Sequence, residues 1–172
     1  MTLDNSELQI RAYTPEDKKN IIEIFRTNVP DFFAETEEAD LSEYLDNRIE
    51  KYFTVFSVKV HKIIACGGIN YLPETKTARL SWDFADRQFH GKGAGGLLLR
   101  KRTDDLLADS DIDNIEVRTS QLAFNFYLKF GFELIEMRKN FWAENFDLYH
   151  LRLNKAKYKT MFQAELTNSG IN

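Results

Sequence analysis

The stretch His90-Gly91-Lys92-Gly93-Ala94-Gly95-Gly96 lies between a β-rich run that ends at Ala85 and a leucine-rich run that begins at Leu97. Glycine lets a backbone approach a ligand closely, and the amides at a helix N-terminus attract phosphate. The four glycines within residues 91–96 exceed what a single tight turn requires. The stretch therefore predicts an anion site that opens a helix, and a turn without a ligand is the alternative.

Two other phosphate-binding motifs fit this stretch poorly. Gly91, Gly93 and Gly96 match G-x-G-x-x-G, and Glu116 follows about twenty residues later, as in a dinucleotide-binding fold. That fold needs repeated βαβ crossovers, which the flanking sequence lacks. A Walker-type loop needs Ser or Thr after its lysine, where this chain has glycine. A small dinucleotide-binding protein is therefore the less favoured interpretation.

Apolar periodicity around the stretch predicts the element order βααβββαβαββ. Before the stretch we expect a strand at 8–13, a helix from 15 to 26, a second helix with Leu41, Tyr44, Leu45, Ile49 and Tyr52 on one face, and strands at 53–60, 63–72 and 77–85. After it we expect a leucine-rich helix, a strand at 115–119, a short helix at 122–130 ending at Gly131, and strands at 132–138 and 147–153. The short connections within 53–85 favour an antiparallel meander. The pattern predicts an α/β fold with a mixed sheet of six to seven strands and about four helices.

Length and composition fit one globular domain. A chain of 172 residues buries roughly 70% of its unfolded surface on folding. Its 43% hydrophobic and 29% charged residues differ from the composition of disordered or fibrous proteins. We therefore expect one domain at residues 8–154, followed by a C-terminal tail at 155–172 that either is mobile or docks on a partner.

Charge and cysteine content limit the partners and the compartment. The net charge of -4 favours neither nucleic acid nor an anionic membrane. The lone Cys66 forms no internal disulfide, residues 1–20 lack the apolar core of a signal peptide, and no run is long enough to span a membrane. His61 and His150 have no neighbours at metal-ligand spacing. We expect a cytoplasmic protein without a metal.

Two segments resemble the GNAT N-acetyltransferase superfamily. Residues 89–99, FHGKGAGGLLL, resemble its acetyl-CoA signature, Q/R-x-x-G-x-G/A. Residues 123–132, AFNFYLKFGF, resemble its A-x-x-F-Y-x-K-x-G-F segment. The predicted element order also matches that fold. The chain departs from the pattern at His90, where the family usually has Gln or Arg, and at Ser120, where an Asn often binds the cofactor.

This resemblance implies an enzyme that uses acetyl-CoA as co-substrate and transfers acetyl to a primary amine directly, in a ternary complex. In the family the amides of the glycine-rich turn bind the pyrophosphate, and the fourth strand lies beside the thioester. The cofactor-binding residues implied here are Phe84, Ala85, His90, Gly91, Lys92, Gly93, Ala94, Gly95, Gly96, Ser120 and Tyr127. The phenol of Tyr127 is implied as the general acid for the departing thiolate. The alternative is that Tyr127 is a core aromatic, because Phe124 and Phe126 lie on the same short helix.

Direct transfer also needs a group that takes the proton of the amine. Asp83 and Glu116 lie on the strands next to the implied site, in apolar sequence contexts that raise a carboxylate pKa. Neither is part of a motif, so the base is Asp83 or Glu116. A salt-bridged position is the alternative for each, with Arg118 as the partner expected for Glu116.

The acceptor wall is expected from residues 31–38, because the family typically builds it there. Phe32, Phe33 and Glu35 suit a cationic amine, although the same residues also suit a solvated loop. Trp142 and its neighbour Phe141, in the predicted turn between the last two strands, are placed to close the other side. Aromatics at a strand end equally suit a core edge or a dimer contact, so a homodimer stays open.

The sequence leaves two further matters open. A coenzyme A-binding regulatory module without turnover remains an alternative to the enzyme, because no motif identifies the base. The acceptor is a small-molecule or peptide amine whose identity the sequence does not specify.

Overall fold

The computed structural model describes residues 5–160, which form two compact units. The first unit contains residues 5–70 and 80–105, and the second contains residues 71–79 and 106–160. Three elements cross from one unit to the other along the chain: a strand that ends at residue 72, the strand after it, and the helix after the glycine-rich stretch. The predicted domain bounds of 8–154 stay a prediction.

The first unit is a sheet covered by helices. Its elements in chain order are β1 (Leu8–Ala12), α1 (Lys18–Arg26), α2 (Glu37–Asn47), β2 (Lys51–Ser57), β3 (Lys62–Leu72), β4 (Thr77–Ala85) and α3 (Ala94–Ala108). The strand order is β1-β2-β3-β4. Strand β2 pairs antiparallel with both β1 and β3, and its pairing with β3 shifts register between Val55 and Phe56.

Two hydrophobic clusters of the first unit account for its helices. One cluster joins apolar residues of α1 and α2 to the sheet, with Phe25, Leu41 and Phe84 among its buried members. The other joins Leu98 of α3 and Phe89 to β1, β2 and β3. Both clusters include side chains of β3. For this reason β3 is buried almost throughout, and its polar and apolar residues do not alternate. This packing holds the end of β4, which the glycine-rich turn follows along the chain.

The second unit is built on an antiparallel three-stranded arrangement. Its elements are β5 (Asn114–Thr119), α4 (Phe124–Leu128), β6 (Glu133–Ala143) and β7 (Phe146–Asn154), with further helical residues at 155–160. Strand β7 lies between β5 and β6 and pairs antiparallel with both. Helix α4 has its C-cap at Lys129, and Gly131, with φ of 86°, lies in the turn that follows, where its amide donates to the Leu128 carbonyl at 3.1 Å.

The predicted fold class is confirmed. The described residues contain seven strands, four α-helices and the helical residues 155–160, against a prediction of six to seven strands and about four helices. The predicted tail therefore begins as a helix. Its remaining residues, 161–172, lie outside the described part of the chain.

Several predicted boundaries are wrong. The strand predicted at 53–60 is Lys51–Ser57, and the helix predicted at 122–130 is Phe124–Leu128. Two further errors misplaced named aromatic residues. Helix α2 ends at Asn47, so Ile49 and Tyr52 are not on it, and Tyr52 lies on β2. Tyr52 reaches the same apolar cluster as α2 from the strand side, which explains why its spacing fitted the helix. Strand β6 continues to Ala143, so Phe141 and Trp142 lie in the strand and not in the turn. The strand passes through Asn140, whose φ of 51° shifts the register with β7.

Candidate functional site

The glycine-rich turn has the backbone geometry that its sequence predicts. Gly91 and Gly93 have φ of 71° and 98°, which side chains of L-residues rarely adopt. A Cβ atom at either position would have no neighbour within 4 Å. Glycine is therefore required here by backbone conformation and not by crowding. Helix α3 begins immediately afterwards at Ala94, and the amide of Leu97 donates to the Gly93 carbonyl at 2.9 Å.

Most amides of this turn have no acceptor within the described residues. Lys92 is the exception, because its amide donates to the carbonyl of Phe89 at 3.2 Å. The amides of Gly91 and Gly93, and those of the first helical residues 94–96, make no such bond among residues 5–160. The 15-residue helix α3 adds the positive end of its dipole to these amides. The turn can therefore bind an anion through its backbone.

His90 and Lys92 direct their side chains toward the protein. The Nε2 atom of His90 lies 3.1 Å from the carbonyl oxygen of Ala85, and the ring packs edge-on against Phe32 with centroids 4.9 Å apart. The bond to a carbonyl requires the proton on Nε2. The ammonium of Lys92 donates to the Gln88 carbonyl and lies 5.1 Å from the centre of the Phe89 ring. Both side chains brace the turn.

A residue that sequence reasoning missed holds the end of β4. Asn28 is buried, and its Nδ2 atom donates to the Ala85 carbonyl at 2.9 Å and to the Ile24 carbonyl at 3.0 Å. The Ala85 carbonyl thus has two side-chain partners, Asn28 and His90. The preceding carbonyl, of Phe84, has the thiol of Cys66 at 3.9 Å. The only feature of the sequence that could have singled out Asn28 is its position just after a helix with an apolar face.

Asp83 is held by an arginine on α3. Its two carboxylate oxygens accept hydrogen bonds from Arg102 at 2.5 and 2.8 Å, and Arg102 also donates to the Gly68 carbonyl at 2.9 Å. The Arg102 side chain is only 1% exposed. Both carboxylate oxygens of Asp83 are therefore already engaged by the Arg102 guanidinium. The sequence placed Asp83 in an apolar context but did not identify this partner.

The aromatic residues after α1 pack into the first unit. Phe33 contacts Phe25, Phe84 and Trp82, whose ring it stacks on with centroids 6.4 Å apart. Phe32 contacts His90 instead. Trp82 itself has φ of 49° within β4, and its carbonyl accepts from the Tyr52 hydroxyl at 2.9 Å. Two of the predicted acceptor residues therefore sit beside β4 and the turn, and both are within the first unit.

An acid near these aromatics was not singled out from the sequence. Glu37 accepts a hydrogen bond from the Ala34 amide at 2.8 Å at the start of α2. Burial raises the pKa of Glu37, although that hydrogen bond acts in the opposite direction. Glu35, which was predicted, is an exposed residue of the loop whose carbonyl accepts from the Glu38 amide.

Tyr127 lies in the second unit, on α4. It is 4% exposed, and its ring makes edge contacts with Phe126 and Phe132 at centroid distances of 5.1 and 5.8 Å. Its carbonyl accepts hydrogen bonds from the amides of Phe130 and Phe132. Ser120 lies in the turn before this helix, where its hydroxyl accepts from the Leu122 amide at 3.3 Å. The tyrosine side chain is thus buried and in contact with two phenylalanine rings.

Glu116 is part of an ion-pair network and not of an apolar site. Its Oε1 accepts from Arg152 at 2.6 Å, its Oε2 lies 3.0 Å from His150, and Arg79 is 3.6 Å away. Burial alone would raise the pKa of Glu116, but the bonds from Arg152 and His150 outweigh it and lower that pKa. The expected rise is therefore wrong, and Arg118 is not the partner.

Trp142 is anchored to the end of β5. Its indole Nε1 donates to the Thr119 carbonyl at 3.2 Å, and its ring lies 5.3 Å from the guanidinium carbon of Arg118. Phe141 packs perpendicular to it with centroids 4.9 Å apart. The side chain is therefore held in one orientation beside an arginine, a neighbour that the sequence did not indicate.

Metal-ligand clusters and membrane-spanning helices are both absent from the part of the chain that the structure describes. Within residues 5–160, no group of three or more His, Cys, Asp or Glu side chains is arranged to hold a metal ion. No helix in the same range is both long and apolar enough to cross a membrane.

The turn and the start of α3 define an α/β protein with a backbone anion site at a helix N-terminus. The chain matches the family model of the acetyltransferase (GNAT) domain over residues 12–153. It therefore belongs to the GNAT acetyltransferase family, and it is an acyltransferase by that membership. Among curated proteins, none matches the chain significantly.

Solved structures show the same fold at low sequence identity. A GNAT-family protein from Desulfovibrio desulfuricans is 18% identical, with a TM-score of 0.72 over 86% of this chain and 99% of that one. The dodecameric spermidine N-acetyltransferase from Vibrio cholerae is 16% identical, with a TM-score of 0.68 over 90% and 97%. The ribosomal-protein-S18-alanine N-acetyltransferase from Escherichia coli is 16% identical, with a TM-score of 0.70 over 86% and 93%. These likenesses concern the fold.

Proposed function

We propose that this protein transfers the acetyl group of acetyl-CoA to a primary amine by direct transfer in a ternary complex. The observation that carries the proposal is the set of amides of Gly91, Gly93 and residues 94–96, which make no hydrogen bond within residues 5–160, at the start of α3. These amides and the helix dipole suit the pyrophosphate of coenzyme A. The family membership supplies the class of cofactor, and the geometry of the turn supports its binding mode.

In this reaction the amine nitrogen attacks the thioester carbonyl carbon, the new C–N bond forms, and the C–S bond breaks. The departing thiolate takes a proton, for which we propose the Tyr127 hydroxyl as donor. The amine nitrogen loses one proton, so the products are the acetamide and free coenzyme A. The Tyr127 side chain is held by ring contacts with Phe126 and Phe132.

The base remains a choice between Asp83 and Glu116. Arginine side chains already donate hydrogen bonds to the oxygens of both carboxylates, and the bonds from Arg152 and His150 lower the pKa of Glu116 despite its burial. We therefore favour proton transfer through a water molecule, with a carboxylate orienting that water. The amide backbone of Phe84 and Ala85 is retained as the proposed neighbour of the thioester.

The identity of the acceptor, the oligomeric state and the cellular compartment are also proposals. Two of the similar structures are a spermidine N-acetyltransferase and a ribosomal-protein-S18-alanine N-acetyltransferase. Their substrates support a small-molecule or peptide amine as the acceptor here. Phe32, Phe33, Glu35 and Trp142 are retained as acceptor residues. A homodimer and a cytoplasmic localisation stay predictions from the sequence.

A kinetic experiment tests the assignment of Tyr127. Purified protein is incubated with acetyl-CoA and a panel of amines, and acetylation is followed by mass spectrometry. Tyr127→Phe is expected to lower kcat by about a hundredfold, because a positioned general acid contributes that much, while coenzyme A affinity changes little. Tyr149→Phe is the matched control, since Tyr149 stacks on Phe124 of the same helix. An unchanged rate in Tyr127→Phe would remove the assigned role.

A coenzyme A-binding module without turnover is the second candidate. The arginine partners of both candidate carboxylates favour it, because each candidate is already engaged in an ion pair. Calorimetry separates the candidates. Tight coenzyme A binding without acetylation of any amine supports the module, whereas acetylated product supports the enzyme.

A further inference from the structure

Arg118 on β5 is a half-buried arginine held between aromatic rings. Its guanidinium carbon lies 4.8 Å from the centre of the Phe141 ring and 5.3 Å from that of Trp142. Within residues 5–160 no carboxylate lies at salt-bridge distance from this guanidinium. Because Trp142 is itself tied to the Thr119 carbonyl, the aromatic contacts hold the guanidinium in one place. A pre-oriented cation of this kind suits one planar anion.

Two arginines and two carboxylates act on Arg118: Arg79, Arg138, Glu136 and Glu116. Each carboxylate already forms an ion pair with another arginine, Glu116 with Arg152 and Glu136 with Arg138. Burial lowers the pKa of Arg118, and so do Arg79 and Arg138, while Glu136 and Glu116 act in the opposite direction to a smaller extent. Counted with Arg118 itself, the cluster has three positive and two negative side chains, although the net charge of the whole chain is -4.

We propose that Arg118, walled by Phe141 and Trp142, binds a carboxylate on the acceptor amine. The inference rests on the proposed function, in which Trp142 belongs to the acceptor wall. The acceptor is then an amino acid or the end of a peptide that carries a carboxylate near its amine. The planar guanidinium matches a carboxylate through two parallel hydrogen bonds. A polyamine, which has only positive charges, is disfavoured by the same cluster.

The carboxylate takes no part in the bonds that change. The amine nitrogen still attacks the acetyl carbon and loses one proton, coenzyme A leaves as the thiol, and the product is the N-acetyl amino acid. Arg118 is therefore a positioning residue for the acceptor. Its removal is expected to raise KM for the charged acceptor and to leave kcat almost unchanged, because its contact is the same before and during the reaction.

The test compares each amino acid with its C-terminal amide as acceptor. The amide keeps the amine and the side chain but lacks the negative charge. Its amine is also the easier to deprotonate, so a preference for the free acid reports recognition of the carboxylate. Initial rates are measured for the wild-type protein, for Arg118→Gln and Arg118→Lys, and for Arg48→Gln, an exposed arginine paired with Glu43. Calorimetry with the amino acid alone gives binding without turnover.

We expect the wild-type protein to prefer the acid. Arg118→Gln should raise KM for the acid roughly tenfold or more and leave the amide unaffected. The KM of Arg118→Lys for the acid should lie between those of the wild type and Arg118→Gln, because lysine keeps the charge but lacks the planar arrangement of two donor nitrogens. The KM of Arg48→Gln should match that of the wild type. Equal use of acid and amide, or equal losses on both, would overturn the proposal.

Failure of the proposed function has a different signature. If no amine is acetylated but calorimetry detects binding of the amino acid that Arg118→Gln abolishes, the carboxylate subsite stands and the transfer reaction does not. If the amines are acetylated but no binding depends on Arg118, the reaction stands and the subsite is overturned. Arg118→Lys and an unfolding curve of each variant show whether a loss comes from folding.

Discussion

Asp83 on β4 and Arg102 on α3 form a two-bonded ion pair, with both carboxylate oxygens accepting from the guanidinium at 2.5 and 2.8 Å. The pair joins a strand to a helix within the first unit, and Arg102 is almost fully buried. Removing one partner would leave the other charge buried without compensation. We therefore expect Arg102→Gln to lower the free energy of unfolding by about 3–5 kcal/mol, measured by urea denaturation.

The neighbouring residue on α3 supplies the control. Lys101 pairs with Asp105 four residues later, and both side chains are about half exposed. Lys101→Gln should change the stability by no more than about 0.5 kcal/mol. If Arg102→Gln proved as mild as Lys101→Gln, the buried pair would have no structural importance.

Gly67 gives a second way to perturb the same pair. A Cβ atom at this position would lie 2.3 Å from an oxygen of Asp83 and 2.9 Å from a nitrogen of Arg102. We expect Gly67→Ala to destabilise the protein by about 1–3 kcal/mol, because the ion pair has to move. In an Arg102→Met background the same substitution should cost clearly less. Equal costs in both backgrounds would show that the clash lies elsewhere.

The features that the sequence predicts well are local. Glycines 91 and 93 require left-handed backbone, and this requirement can be read from a few adjacent residues. The short connections between the strands of the meander are local in the same sense. The end of α2 was missed because Tyr52 continues the apolar spacing of the helix while it lies on β2, and both segments bury side chains in one cluster.

The features that the sequence does not predict depend on distant partners. Arg102 is 19 residues from Asp83, and Asn28 is 57 residues from the Ala85 carbonyl to which it donates. Glu116 meets Arg152 across 36 residues, through the pairing of β5 with β7. No spacing rule links such positions, so the sequence could name both candidate acids but not the arginines that hold them.

The two strained glycines of the turn should differ in their response to substitution. Alanine at Gly91 would have to adopt φ near 71°, close to the left-handed helical region, whereas alanine at Gly93 would have to adopt φ near 98°. We expect Gly93→Ala to cost about 1–3 kcal/mol of stability and Gly91→Ala about 1 kcal/mol. Both variants should weaken coenzyme A binding, as measured by calorimetry, because the turn must distort. The reverse order of stability would contradict this geometry.

Glu116 is expected to make the stability depend on pH. Its pKa in the folded protein is lowered below the ordinary value of 4.5, because the bonds from Arg152 and His150 outweigh burial. A lowered pKa means that folding favours the carboxylate, so the contribution is present above the unfolded value and is lost as the pH falls through the folded one. Glu116→Gln should therefore cost about 1–3 kcal/mol at pH 7, and this difference from the wild type should shrink as the pH falls below 4.5.

The measurement is a series of urea denaturation curves for wild type and Glu116→Gln from pH 7 to pH 3. Glu136→Gln is the matched control, because Glu136 is a neighbouring carboxylate whose pKa is also lowered, by its bond to Arg138, but which is much more exposed. Its substitution should have a smaller effect at every pH, since solvent screens its ion pair. A cost of Glu116→Gln that stays constant down to pH 3 would mean that the side chain contributes by packing and not by charge. In that case the network of Arg79, His150 and Arg152 would not be what holds the Glu116 carboxylate ionised.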